Sequence, residues 1–160
     1  MKTMIVYYSM NGNTDYAARK IARQLGATLL RVEPVKAYPD KGFRKFFWGG
    51  KSAVMAETPE LQAYRFDPRA FERVIFGFPV WAGNVTPPLR TFIRDNRAAL
   101  QGKSLAAFAC QSGAGAEKAF EKLKACLGVS RLDAELVLND PKDKENAAND
   151  AKIAAFCGKL

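Results

Sequence analysis

Ser9, Asn11, Asn13 and Thr14 place four short hydroxyl and amide side chains around one glycine, Gly12, in the stretch YYSMNGNT. The stretch closes an apolar run and opens AARKIARQL, where small and apolar residues return with a helical period. A strand-to-helix seam of this composition can hold an anion. Short polar side chains and the unpaired N–H groups of a first helical turn would face one volume, and glycine permits close backbone approach or positive φ. Oriented backbone dipoles can take the place of a formal cation, so a phosphate cradle here needs no Lys or Arg in the loop. The same residues also make an ordinary turn with Thr14 as helix N-cap, and the local sequence serves both readings equally. The loop has neither the GxxxxGK[ST] pattern nor the later glycines of a GxGxxG dinucleotide loop, and its strand lacks the paired acids of a metal-dependent receiver.

A second stretch, FGFPVWAGNVTPPLRTF, follows a later apolar run as the octet follows the first. Trp81, set between Pro79 and Gly83, offers a rigid aromatic face to a flat ring. The chain contains no histidine, which removes the commonest general base, the commonest zinc ligand and every Ser-His or Cys-His mechanism. No metal site is expected, and any redox chemistry falls to a cofactor. Cys110, Cys126 and Cys157 are odd in number and widely spaced, so neither a disulfide framework nor a CxxC site is written, and a cytoplasmic location is expected. Cys110 reads as a small buried apolar residue rather than a redox thiol.

The elements that must position these stretches follow from the hydropathy pattern. Runs at Met4 to Tyr8, Thr28 to Val32, Val74 to Phe78, Leu105 to Cys110 and Leu136 to Leu138 alternate with helical patterns, the signature of βαβ units and a parallel sheet. The first helix is expected from near Thr14, burying Ala17, Ala18, Ile21, Ala22 and Leu25 and stopping at Gly26. Thr86 is expected to cap a helix that begins with Pro87 and Pro88 and buries Leu89, Phe92 and Ile93. A third helix presents Ala119, Phe120, Leu123 and Leu127 before Gly128, and the last shares Ile153, Phe156, Cys157 and Leu160 on one face. The expected architecture is one α/β domain over 1–160 built on a five-stranded parallel sheet, with an extended insertion at 33–72 carrying a short helix.

Taken as a pair, YYSMNGNT and FPVWAGNVTPP resemble the two cofactor loops of the flavodoxin family, and the resemblance extends over essentially the whole chain. It implies a doubly wound α/β fold with five parallel strands in the order 2-1-3-4-5, a three-layer flavodoxin-like sandwich binding FMN at the carboxyl edge of the sheet between strands one and three. By position, it implies that Ser9, Met10, Asn11, Gly12, Asn13 and Thr14 bind the phosphate, and that Pro79, Val80, Trp81, Ala82, Gly83 and Asn84 form the first isoalloxazine loop. CQSGAG matches the second flavin loop, with Gln111, Ser112, Gly113 and Gly115 offering backbone contacts. Two departures stand out: Asn11 occupies a place where the family often has Thr, and CQSGAG lacks the aromatic that many flavodoxins stack on the flavin. The family role is electron transfer between redox partner proteins. An FMN-dependent NAD(P)H or quinone reductase uses the same cradle, and a docking module with a basic face is a third reading.

Flavodoxins are commonly acidic, whereas this chain has 25 Lys and Arg against 16 Asp and Glu, a formal charge of +9. An acidic redox partner is therefore the expected counterpart, since net charge bears on association. The segment KGFRKFFWGGK interleaves basic and aromatic residues, but Phe43, Phe46 and Phe47 fall on one helical face and pack the insertion onto the domain in this reading, so nucleic acid is not expected. No apolar run approaches a membrane span, and no membrane insertion is expected.

Overall fold

Five runs of β-branched, aromatic and small apolar residues form strands β1 (Thr3–Tyr7), β2 (Thr28–Arg31), β3 (Arg73–Pro79), β4 (Ser104–Gln111) and β5 (Glu135–Asn139) in a computed structural model of the protein. It describes residues 1–38 and 57–160. The strands are all parallel, as their alternation with helices predicts, and lie in the order β2-β1-β3-β4-β5 that the family resemblance implies. Helices α1 (Asn13–Leu25), α2 (Pro87–Leu100), α3 (Ala116–Leu127) and α4 (Ala147–Gly158) cover both faces.

The two-residue period of the strands divides the core in two. Met4, Val6, Phe76, Phe78 and Ala107 point to the face covered by Leu89 and Phe92 of α2 and by Phe120 and Leu123 of α3. Ile5, Tyr7, Ile75 and Phe108 point to the opposite face, closed by Ala17, Ala18 and Ile21 of α1 and by Ile153 and Phe156 of α4. Leu25, Cys157 and Leu160, expected inside, are only partly buried at the margin of this second cluster. In register, Gly77 of β3 opposes Phe108 of β4, and the Phe108 ring fills the space over the glycine.

Residue 14 does not cap α1. The helix starts one residue earlier, Gly12 occupies the cap in a left-handed conformation, and Thr14 lies inside the first turn. Thr86 does sit at the cap of α2, but its hydroxyl makes no capping bond and is buried without a hydrogen-bond partner among the described residues. The physical reason is its neighbours. Pro87 and Pro88 remove the first two N–H groups of the helix, and the next one, on Leu89, bonds to the Thr86 carbonyl instead.

Part of the 33–72 segment is held against the sheet-and-helix frame. Pro34 bridges Leu61 in antiparallel sense, a single 3₁₀ turn runs over Pro68–Ala70, and Tyr64 and Phe66 lay their rings 5.4 and 5.2 Å from that of Phe92. The expected helical face of Phe43, Phe46 and Phe47 lies outside the described residues. No helix among the described residues is long and apolar enough to cross a membrane.

Candidate functional site

The sheet order brings the ends of β1, β3 and β4 side by side, and the hydrogen-bond ladder runs on past the strands into the loops. Tyr8 donates to the Gly77 carbonyl at 3.1 Å, Val80 to Cys110 at 2.8 Å, and Asp140 to Gln111 at 3.1 Å. The three loops named from the sequence, Ser9–Thr14, Pro79–Asn84 and 111–115, therefore leave one edge together. They leave it where the chain order of the sheet reverses beside β1, the position at which open α/β sheets bind ligands.

The first loop is organised by its own side chains. The Asp15 amide donates to Ser9 Oγ at 3.1 Å, and the Asn13 amide to Asn11 Oδ1 at 3.3 Å. Asn11 thus closes a turn over Gly12, a bond an amide side chain makes readily between residues two apart. No described residue accepts from the amides of Met10, Asn11, Gly12 or Thr14. Gly12 itself needs to be glycine, with φ at 96°. Thr14 Oγ1 is fully buried and makes no hydrogen bond of good geometry among the described residues, with the Cys110 thiol as its polar neighbour. Burial pushes that thiol up to about 12, the Thr14 hydroxyl pulling weakly the other way, so Cys110 stays protonated at neutral pH.

The second loop is a tight turn. Asn84 donates to the Trp81 carbonyl at 3.0 Å, and both central residues, Ala82 and Gly83, have positive φ, as in a type I′ turn. Ala82 is one of two non-glycine residues with that conformation among the described residues. Trp81 is buried, with the rings of Tyr8 and Tyr38 set edge-on to it at 5.6 and 5.9 Å. The third loop docks on the second: a Cβ on Gly115 would stand 3.2 Å from Gly83 Cα and 3.3 Å from Val80 Cγ1. Gln111 caps α3 through its side chain, accepting from the Ala116 amide at 3.0 Å, and Ser112 donates to Asp140 at 2.7 Å. Gly113 lies exposed at the tip.

The matching sequence model for the flavodoxin family covers residues 2–152. The chain belongs to the flavodoxin family. Among solved structures, this flavodoxin fold is similar to a candidate flavoprotein of Bacteroides uniformis, at a TM-score of 0.78 and 21% identity with 96% of each chain covered. A flavoprotein of Lactobacillus acidophilus NCFM, solved in complex with FMN, matches at 0.71 and 21% over 89% of this chain and 95% of that one. Two-electron reduced flavodoxin from Megasphaera elsdenii matches at 0.59 and 15% over 99% of each chain. At these identities the structural likeness speaks for the fold.

The donor set fits the flavin mononucleotide that flavodoxins imply. Four amides without described partners, a buried hydroxyl with no well-formed bond among the described residues and a glycine-only position all fall in Met10–Thr14 at the start of α1, a donor set that suits a phosphate monoester. Several charged residues that sequence reasoning missed also reach this candidate site. Lys142, from the connection between β5 and α4, lays its side chain over Gly12, its Nζ only 2.9 Å from where a Cβ would stand. Arg31 at the end of β2 donates to the Ser9 carbonyl at 2.9 Å. Lys118 of α3 packs on Gly83, and Lys122 bonds to Asn84 Oδ1. Burial, then the nearby charges of Lys118 and Arg90, hold the Lys122 ammonium below its ordinary value. None of these cations has a signal in local sequence, because strand pairing, the β5–α4 connection and helix packing bring them from distant segments.

Proposed function

We propose that this flavodoxin-family protein binds FMN at the edge just described and works as an electron carrier between partner proteins. The observation that carries the reading is the convergence of the Ser9–Thr14 cradle and the docked pair of loops, Pro79–Asn84 and 111–115, at one edge. Bound FMN would supply one- or two-electron chemistry. The amides of Met10, Asn11, Gly12 and Thr14 and the Thr14 hydroxyl hold its phosphate. Ser9, Asn11 and Asn13 fix the loop that carries these donors. Pro79, Val80, Trp81, Ala82, Gly83 and Asn84, with Gln111, Ser112, Gly113 and Gly115, shape the ring site, where Gly115 keeps the two ring loops in contact and Trp81 contributes an aromatic wall. These loops contain no acid, base or histidine, which favours tuning and shielding of a cofactor over side-chain proton transfer.

An acidic partner is supported by the grouping of Lys118, Lys122 and Arg90 beside the Pro79–Asn84 loop, since none of the three has an ion pair among the described residues. The test is reconstitution of apoprotein with FMN, followed by assay of NAD(P)H oxidation with and without quinone, and of electron exchange with acidic redox proteins across ionic strength. Carrier function predicts negligible NAD(P)H turnover and an exchange rate that falls with salt, less steeply in the Lys118→Glu, Lys122→Glu double variant. Steady NAD(P)H oxidation would make the protein a reductase. Failure to take up FMN would leave only a docking role.

A further inference from the structure

We infer that Lys142 is a phosphate ligand of this site, a cationic clasp carried by the β5–α4 connection onto the FMN-binding loop. The inference rests on the FMN reading above and adds a binding residue from the opposite end of the chain.

Lys142 is aimed by a fixed backbone. Asn13, almost fully buried, accepts from the Lys142 amide at 2.9 Å and the Asp143 amide at 3.3 Å through Oδ1, and donates from Nδ2 to Asp143 Oδ2 at 3.0 Å. One amide side chain of the cradle therefore holds the clasp residue by its main chain. At the near end of the connection, Asp140 accepts from Ser112 at 2.7 Å and pairs with Lys144 at 3.3 Å. At its far end Glu145 bonds to Tyr16 of α1 and lies 3.5 Å from Lys20. The acids around Lys142 are thus occupied, and Lys142 has no ion pair among the described residues.

The ammonium meets the loop at Gly12, the one residue whose missing side chain makes room for it. A Cβ there would lie 2.9 Å from Nζ and 3.3 Å from Cδ. Gly12 thus serves its left-handed φ and the approach of the lysine together. The loop's own donors are all neutral, whereas a phosphate monoester carries about −1.5 to −2 charges at pH 7. An ammonium without an ion pair among the described residues, laid against Gly12 in the middle of this neutral loop, supplies the missing counter-charge. Charge-assisted hydrogen bonds are about twice as strong as neutral ones, so the effect belongs to the phosphate and not to the ring.

The experiment is fluorescence titration of apoprotein with FMN and with riboflavin, for wild type, Lys142→Met and Lys142→Arg, at low and high salt. Circular dichroism melts check that each variant is folded. Wild type is expected to prefer FMN strongly. Lys142→Met should lose about tenfold in FMN affinity with riboflavin unchanged, and its FMN affinity should depend less on salt. Lys142→Arg should recover most of the loss. An FMN-to-riboflavin ratio unchanged in Lys142→Met overturns the clasp while leaving the cradle intact. Equal affinities of the wild type for the two flavins overturn the cradle reading itself, and the clasp with it.

Discussion

Replacing Gly77 with alanine tests whether the seam beneath the site is packed as tightly as it looks. A Cβ built on Gly77 would stand 2.1 Å from Phe108 Cζ and under 3 Å from two further ring carbons. Ordinary carbon contacts begin near 3.5 Å, so the ring or the strand must move by more than 1 Å. Phe108 is fully buried and cannot swing into solvent. Overpacking of this kind costs about 1–3 kcal/mol. Against it stands a gain of about 0.4–1 kcal/mol, because alanine narrows the unfolded ensemble. The clash wins, with a net loss of roughly 1–2 kcal/mol and a melting temperature lower by roughly 2–8 °C for a domain of this size. Urea unfolding of wild type, Gly77→Ala, Phe108→Leu and the double variant would measure it. The leucine has no atom at the ring's far carbon, so the double variant should lose clearly less than the two singles added. Strict additivity, or a Gly77→Ala protein as stable as wild type, would refute the packing argument.

Two further perturbations read the site and its foundation. Thr14→Val removes a buried hydroxyl that makes no well-formed hydrogen bond among the described residues while keeping its shape, so apoprotein stability should stay level or rise by up to about 1 kcal/mol. FMN affinity should fall at least fivefold in a fluorescence titration, and a fall in both quantities would assign Thr14 to structure alone. Alkaline stability should decline in a defined window. Burial, then the bond to Asp15, raises Tyr7 from 10.0 to about 12, and burial raises Cys110 from 9.0 to about 12. Groups raised by folding stabilise fully below their unfolded values and lose that contribution as pH climbs, here from about 9 to about 12. Denaturant midpoints measured from pH 8 to 12 should fall less steeply in Tyr7→Phe and Cys110→Ala than in wild type, and identical slopes would remove both groups from the account.

Much of the fold is legible because its strands are short apolar runs bounded by glycine and polar turns. Gly26 and Gly128 stop helices where the sequence places them, and the loops Ser9–Thr14 and Pro79–Asn84 leave strand ends as expected. The misses share a cause. Thr86 looks like a capping residue, but the prolines that mark the helix start also remove the donors its hydroxyl would serve. Ala82-Gly83 forms a turn with two positive φ values although alanine is a poor signal for it. Lys142 lies 130 residues from Gly12 and reaches it because α1 and α4 pack on the same face, which no local pattern reports.

The same long-range ties bear on how the site could bind without first being ordered. Gln111 and Asp140 join the ends of β4 and β5, Ser112 repeats that tie through its side chain, and Asn13 joins the β5–α4 connection to the cradle. Gly115 closes the circuit by resting on Gly83. Each loop is thereby held by a partner outside itself, so little conformational entropy remains for a ligand to remove. The exception is Ala82, whose left-handed backbone stores about 1–2 kcal/mol relative to glycine. That strain sits in the turn beside the proposed ring site, where a change of backbone conformation would meet the least resistance, while the proposed phosphate end is tied by Asn13 to Asn11 on one side and to Lys142 and Asp143 on the other.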